Sequence, residues 1–343
     1  MKAMVIKEVM SITQDVSPLE LLELECPRPK KHEVLIDVKT CGVCHTELDE
    51  IEGRTPPAFY PMIPGHQVVG KIIEIGSGVT LHEIGDRVGV AWIFDACGKC
   101  DFCQRGQENL CSQFKATGRD MHGGYAEFMK VHEQFAYHIP DNLSDLDAAP
   151  LLCAGAIGYR SLRLSGIDNG CSIGLTGFGA SAHLVLKMVI HKYPKSKIYV
   201  FARSEQERHF ALQLGASWSG DTTDDPPVLL DAIIDTTPVW KPIVEGLKHL
   251  RPAGRLVVNA IRKEKSDQQI LMDLDYSKHL WMEKEIKSVA NITRTDVQEF
   301  LDLASQIPIL PQIQEYLLED ANQALKDLKF GHVKGAKVLR VST

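Results

Sequence analysis

Four cysteines follow one another as Cys97-Gly-Lys-Cys100-Asp-Phe-Cys103 and then, after seven intervening residues, Cys111. Thiolates at this spacing let a single loop close a tetrahedron around zinc, and four of them leave no open coordination position, so the ion expected here is structural. The 9 cysteines of the chain are odd in number, and this cluster fits metal ligation in a reducing compartment better than a disulfide framework. A nucleic-acid zinc ribbon would want flanking lysines and arginines with aromatics. The chain instead has 38 basic against 45 acidic residues, a net charge of -7.

A catalytic zinc asks for three protein ligands and one vacancy. Cys44 in Cys41-Gly-Val-Cys44-His45-Thr46-Glu47, His66 in Pro64-Gly65-His66-Gln67 and Cys153 in Leu152-Cys153-Ala154-Gly155 suit it, but spacing alone does not single them out from 13 histidines. Another chemical signal is Gly177-Phe-Gly179-Ala-Ser-Ala182, a Gly-x-Gly-x-x-Ala turn. Its first glycine permits a tight turn, its second lets a pyrophosphate approach the backbone, and Ala182 allows close helix–strand packing. About 25 residues on, where an acid would bind the ribose hydroxyls of NAD(H), the chain reads Phe201-Ala202-Arg203-Ser204. No carboxylate repels a 2'-phosphate there, and Arg203 with Ser204 could hold one, so NADP(H) is the preferred cofactor over NAD(H). In the competing reading Ser204 and Glu207 form a capping box and Arg203 is merely solvated.

The elements that must position these groups fall into two textures. Up to about residue 150, short apolar runs at 33–38, 67–75 and 87–92 are broken by Gly76-Ser77-Gly78 and Gly85-Asp86, which predicts a β-rich domain. From residue 171 onward, apolar runs at 171–176, 198–202, 232–234, 255–260 and 286–290 alternate with helical periodicity, such as the stripe Leu184, Val185, Met188 and Val189. That alternation predicts a doubly wound α/β domain with a parallel sheet. A chain of 343 residues suits two domains. The expected division is 1–153 with 291–343, carrying a zinc lobe at about 95–113, and 154–290 for the dinucleotide. Residues 1–17 lack an apolar segment behind basic residues, and no run approaches the roughly 18–20 apolar residues of a membrane span, so a cytoplasmic protein without membrane or nucleic-acid partners is expected.

Together these motifs resemble the zinc-containing alcohol dehydrogenases of the medium-chain dehydrogenase/reductase superfamily over nearly the whole chain, with Gly123-Gly124-Tyr125-Ala126-Glu127 falling in the family's order. The resemblance implies a GroES-like catalytic domain, a Rossmann cofactor domain and an active site between them. It implies Cys44, His66 and Cys153 as catalytic-zinc ligands, Thr46 as hydrogen-bond partner of the substrate oxygen, and His45 near the cofactor pyrophosphate. Trp92, with Phe59 and Ile157, would line an apolar substrate pocket. A zinc held by two thiolates and a neutral imidazole keeps enough Lewis acidity to polarise an alcohol or carbonyl oxygen. Hydride exchange between primary alcohols or aldehydes and NAD(P) follows, by a homodimer or homotetramer carrying two zinc ions per chain.

The chain departs from the family pattern at four positions. Gln67 replaces a glutamate and cannot act as an anionic ligand. Glu47 stands for an aspartate and should still orient His66. Asp49 stands where many relatives carry a proton-passing histidine, so Asp49, or water alone, is expected to end the relay from Thr46. A family arginine falls at Ala336, with Lys337 or Arg340 left to compensate. The alternatives are a polyol or secondary-alcohol dehydrogenase of the same superfamily, and a non-catalytic zinc and dinucleotide binder.

Overall fold

The structure, a computed structural model, describes residues 1–307, 309–331 and 335–342. It divides into two compact units, Met1–Cys153 with Ile292–Thr343, and Ala154–Asn291.

In the first unit the strand Glu33–Val43 is central. It pairs antiparallel with Val68–Ile75, Phe128–His132 and Ala336–Arg340. The sheet continues through Arg87–Val90 to Ala136–His138 on one side and to Ile313–Leu317 on the other. Val34, Leu35, Ile36 and Val38 are buried while Asp37 and Lys39 reach solvent, so that from Ile36 to Lys39 the side chains alternate as on a strand with one face on a core. Fully burying each such side chain contributes about 1.5–3 kcal/mol. Val68, Ile72, Val88, Tyr125 and Leu339 complete this core, so the C-terminal tail belongs to the same packing unit as the start of the chain. The register matters for chemistry because it ends the central strand at Val43, next to Cys44.

The second unit is a six-stranded sheet, parallel throughout, in the order Trp218–Gly220, Lys197–Phe201, Ser172–Thr176, Leu230–Asp235, Leu250–Val258, Glu285–Ser288. In sequence order this is 3-2-1-4-5-6, the Rossmann arrangement, whose switch point lies between Ser172–Thr176 and Leu230–Asp235. Leu184, Val185, Met188 and Val189 are buried along helix Ala180–Lys192, as their periodicity requires. Two strands depart from the sequence expectation. Trp218–Gly220 has no apolar run and forms because the Trp218 ring packs 5.2 Å from Phe201 and 6.5 Å from Tyr199 on the neighbouring strand. The run expected at 286–290 forms its strand at Glu285–Ser288 with all four residues exposed, because it is the sheet's edge. Among the described residues, no helix is long and apolar enough to cross a membrane.

Candidate active site

Cys44 leaves the central strand in extended geometry (φ −131°, ψ 165°) and begins helix His45–Ile51. Glu47, in the first turn, does two jobs: its Oε2 accepts the Cys44 N–H at 2.7 Å, and its Oε1 lies 2.6 Å from His66 Nδ1. His66 arrives through Gly65, whose φ of +98° and approach to Tyr125 exclude any side chain, since an added Cβ would sit 2.3 Å from the ring. Cys153 comes from the π-helical turn Leu151–Gly155. Its sulfur lies 3.8 Å from that of Cys44. The ligand atoms of Cys44, His66 and Cys153 all fall within 4.8 Å of one another.

Whether these residues fit zinc is tested by the imidazole. Nδ1 faces a buried carboxylate, which keeps a proton on it, so Nε2 is the nitrogen that could offer its lone pair to a metal beside the sulfurs. Nε2 is buried and finds no hydrogen-bond partner among the described residues. An orphaned acceptor beside two thiols is the donor set of a three-ligand zinc site. Without a metal the three groups hold protons among them. A hydrogen bond from Cys153, with help from His66, overcomes burial and holds the Cys44 thiol well below its ordinary range. That bond and burial push Cys153 well above it. Burial opposes charge on His66, yet Glu47 and the Cys44 sulfur keep its pKa well above that of a free imidazole. Burial raises Glu47 against the pull of His66. A divalent cation replacing the shared protons would let both sulfurs ionise.

Around this centre, Thr46 places Oγ1 3.7 Å from Cys44 Sγ. His45 is exposed on the first helical position. Asp49 is buried and ion-paired with Arg54. Gln67 is buried, with Oε1 packed against Gly42. Trp92 is buried, its ring 5.2 Å from Phe114 with the Arg119 guanidinium 5.3 Å over it. Phe59 is 42% exposed and meets His122 edge-on. Ile157 is half-buried and belongs to the second unit. Sequence reading passed over Glu50, which is fully buried with both carboxylate oxygens lacking a partner among the described residues. Burial and the Glu47 charge push its pKa well above the usual carboxylate range. Nothing in its helical surroundings signalled this.

Cys97, Cys100, Cys103 and Cys111 also bring their sulfurs within 4.8 Å of one another. Backbone N–H groups of Cys100 and Gln113 point at the sulfurs of Cys97 and Cys111, at 3.4 and 3.3 Å. Such bonds, led by the Lys99 N–H, lower Cys97 to about 6, while burial raises Cys103 to about 12. All nine cysteines are free thiols, so the lobe has no disulfide and its donors fit a closed zinc site.

In the second unit Gly177 adopts φ +75° directly after strand Ser172–Thr176, Gly179 starts helix Ala180–Lys192, and Ala182 is fully buried. Ser204 caps helix Glu205–Gln213 by accepting the Glu207 N–H at 3.4 Å, which leaves its own O–H free to donate. Arg203 is exposed. Arg208, absent from the sequence reading, donates to the carbonyls of Ala202 and Arg203 at 2.7 and 2.9 Å and so stiffens the loop bearing Arg203. In the first unit, Arg340 is engaged by Glu315 at 2.9 Å, whereas Lys337 is buried in the strand that pairs with Val43, and burial lowers its pKa.

Residues 30–141 match the alcohol dehydrogenase GroES-like domain family. Over 332 residues, 95% of this chain and 94% of the relative, the chain is 43% identical to a Mycobacterium tuberculosis protein named "Probable alcohol dehydrogenase AdhA". It is similar in structure to the Sorghum bicolor cinnamyl alcohol dehydrogenase SbCAD4, with TM-score 0.84, 26% identity and coverage of 99% and 97% of the two chains. The Helicobacter pylori CAD complexed with NADP(H) matches with TM-score 0.83, 26% identity and the same coverages, 99% and 97%.

Proposed function

Because the chain belongs to the zinc-dependent alcohol dehydrogenases of the medium-chain dehydrogenase/reductase superfamily and is an alcohol oxidoreductase, we propose that it interconverts primary alcohols and aldehydes with NADP(H) as preferred hydride carrier. The observation that carries this reading is the orphaned His66 Nε2 facing the sulfurs of Cys44 and Cys153. When bound there, zinc supplies Lewis acidity at the substrate oxygen, and a nicotinamide supplies or takes the hydride.

The chain's own residues do the rest. Glu47 fixes the tautomer and orientation of His66. Thr46 Oγ1, which lies 3.7 Å from Cys44 Sγ, would hold the substrate hydroxyl and pass its proton outward. Asp49, or water alone, would end that relay. Asp49→Asn is therefore expected to slow alcohol oxidation mainly below neutral pH, and an unchanged pH profile would remove Asp49 from the path. Trp92 and Phe59 would meet the apolar part of the substrate. Gly177, Gly179 and Ala182 would accommodate the pyrophosphate, its charge met by backbone N–H groups at the start of helix Ala180–Lys192.

Arg203 and the donating hydroxyl of Ser204 are the proposed 2'-phosphate contacts. Arg203→Ala should weaken NADPH by about tenfold while leaving NADH unchanged; equal losses for both carriers would contradict the assignment. The likeness to the NADP(H)-bound Helicobacter pylori enzyme supports the same preference.

A zinc assay per chain with a panel of aldehydes against NADPH and NADH tests the whole reading. It expects two zinc ions, turnover, and a higher kcat/KM with NADPH. Tight NADPH binding without turnover on zinc-replete protein would overturn it. We further propose a homodimer or homotetramer built on the exposed edge strand Glu285–Ser288, where Ile286 is 47% exposed; a monomer in sedimentation velocity would rule this out.

A further inference from the structure

The loops that follow the central strands of the second unit meet at one buried ion pair. Asp235 ends strand Leu230–Asp235 with its carboxylate wholly buried. It accepts hydrogen bonds from Thr176 Oγ1 at 2.6 Å and Thr237 Oγ1 at 2.8 Å, and an ion pair from Lys263 Nζ completes its shell. Lys263 lies in the loop after strand Leu250–Val258 and is nearly as buried, its side chain 8% exposed. Its ammonium also donates to the carbonyls of Thr237 at 2.7 Å and Val239 at 3.2 Å. One cation therefore spends its three protons on a single carboxylate and two backbone oxygens of the adjacent loop.

That loop is the wall against which the glycine turn rests. Thr236 N and Thr236 Oγ1 both donate to Thr176 O, at 3.0 and 3.1 Å. A Cβ on Gly177 would meet Thr237 Cγ2 at 2.9 Å and Thr236 Oγ1 at 3.1 Å. The far end of the Lys263 loop is fastened separately, by the Asp267 carboxylate accepting the N–H groups of Trp240 and Lys241 at 2.9 and 2.8 Å. A chain of contacts thus runs from Lys263 through Asp235 and Thr237 to Gly177.

We infer that Lys263 is a positioning residue for dinucleotide binding: its ammonium, seated between Asp235 and the carbonyls of Thr237 and Val239, holds residues 236–239 against the glycine turn. Burying a lysine and an aspartate is costly unless every donor and acceptor is used, and here they are used to join three loops at the carboxyl ends of parallel strands, where an open α/β sheet binds its ligand. Core stability alone would be served as well by apolar side chains of similar volume.

The inference rests on the proposed dinucleotide site, and the experiment separates the two. Fluorescence titration with NADPH is run on the parent chain, Lys263→Gln, Lys263→Arg and the neutral pair Asp235→Asn/Lys263→Gln, with zinc content and alcohol KM measured alongside. Lys263→Gln is expected to raise the NADPH Kd about tenfold, since small displacements of a binding turn are costly. Zinc content and alcohol KM should not move, and Lys263→Arg should recover part of the loss. If Lys263→Gln strands an unpaired charge and fails to fold, the neutral pair removes that charge and should still bind weakly, because the ties to Thr237 and Val239 are gone. Binding within twofold of the parent by folded Lys263→Gln or by the folded neutral pair overturns the inference. A parent chain that binds neither NADPH nor NADH sinks the dinucleotide reading instead.

Discussion

His66→Ala is expected to lower kcat/KM for alcohol oxidation by about a thousandfold, equivalent to the several kcal/mol a Lewis acid gives to charge developing on oxygen. The substitution removes the one nitrogen of the site and leaves Glu47 buried with its Oε1 unpaired. Two sulfurs 3.8 Å apart then have no third donor, so zinc content should fall by one ion per chain. Glu47→Gln separates positioning from ligation. It keeps the shape and can still hydrogen-bond, and the loss of the charge behind Nδ1 should reduce metal affinity by about 10- to 100-fold. Retention of full zinc content and near-parental kcat/KM by His66→Ala would mean that these three side chains do not share an ion.

A large effect of a different kind is expected at the lobe. Cys111→Ser should lower the thermal midpoint by about 10 °C and release one zinc ion, with the turnover of molecules that remain folded changed only a few-fold. The lobe has little apolar packing of its own: Phe102 and Leu110 are 39% and 41% exposed. Its cysteines Cys103 and Cys111 are buried, so a missing thiolate leaves three sulfurs repelling one another without the cation that binds them. The lobe is tied to the rest of its unit by Glu108, whose Oε1 accepts the backbone N–H and Nε of Arg294 at 2.6 and 3.0 Å at the start of helix Arg294–Ala304. Loosening it should therefore be felt in the C-terminal part of the chain, visible as increased amide exchange in residues 294–304. An unchanged melting curve would show that the metal is dispensable for the fold.

Motifs contained within a few residues were legible in the sequence because spacing there determines geometry. The four cysteines lie on one loop, the glycine turn sits between a strand and a helix whose periodicities differ, and the capping serine precedes its helix by one residue. Strand identity at the sheet centres was legible for a related reason: burial on one or both faces leaves a pattern of period two or an unbroken apolar run. The strand Trp218–Gly220 escaped, and the run at 286–290 gave a strand at Glu285–Ser288 but not its full exposure, because at an edge the neighbours, not the intrinsic pattern, decide pairing and burial.

Sequence alone, then, picked out a four-cysteine lobe, a Gly-x-Gly-x-x-Ala turn and two domain textures, and resemblance named three candidate ligands that spacing could not choose. Only the tertiary structure decided that His66, 19 residues from Glu47, and Cys153, 109 residues from Cys44, converge with their free donor atoms facing one another. It alone revealed that Lys263, which reads as one charge in the polar stretch Arg262-Lys263-Glu264-Lys265, is buried on Asp235, 28 residues away. The physical reason is the same in each case. A side chain's charge and hydrogen-bonding capacity are written in its type, but what it faces is set by sheet register and by loops returning from distant parts of the chain, and local periodicity carries no record of either.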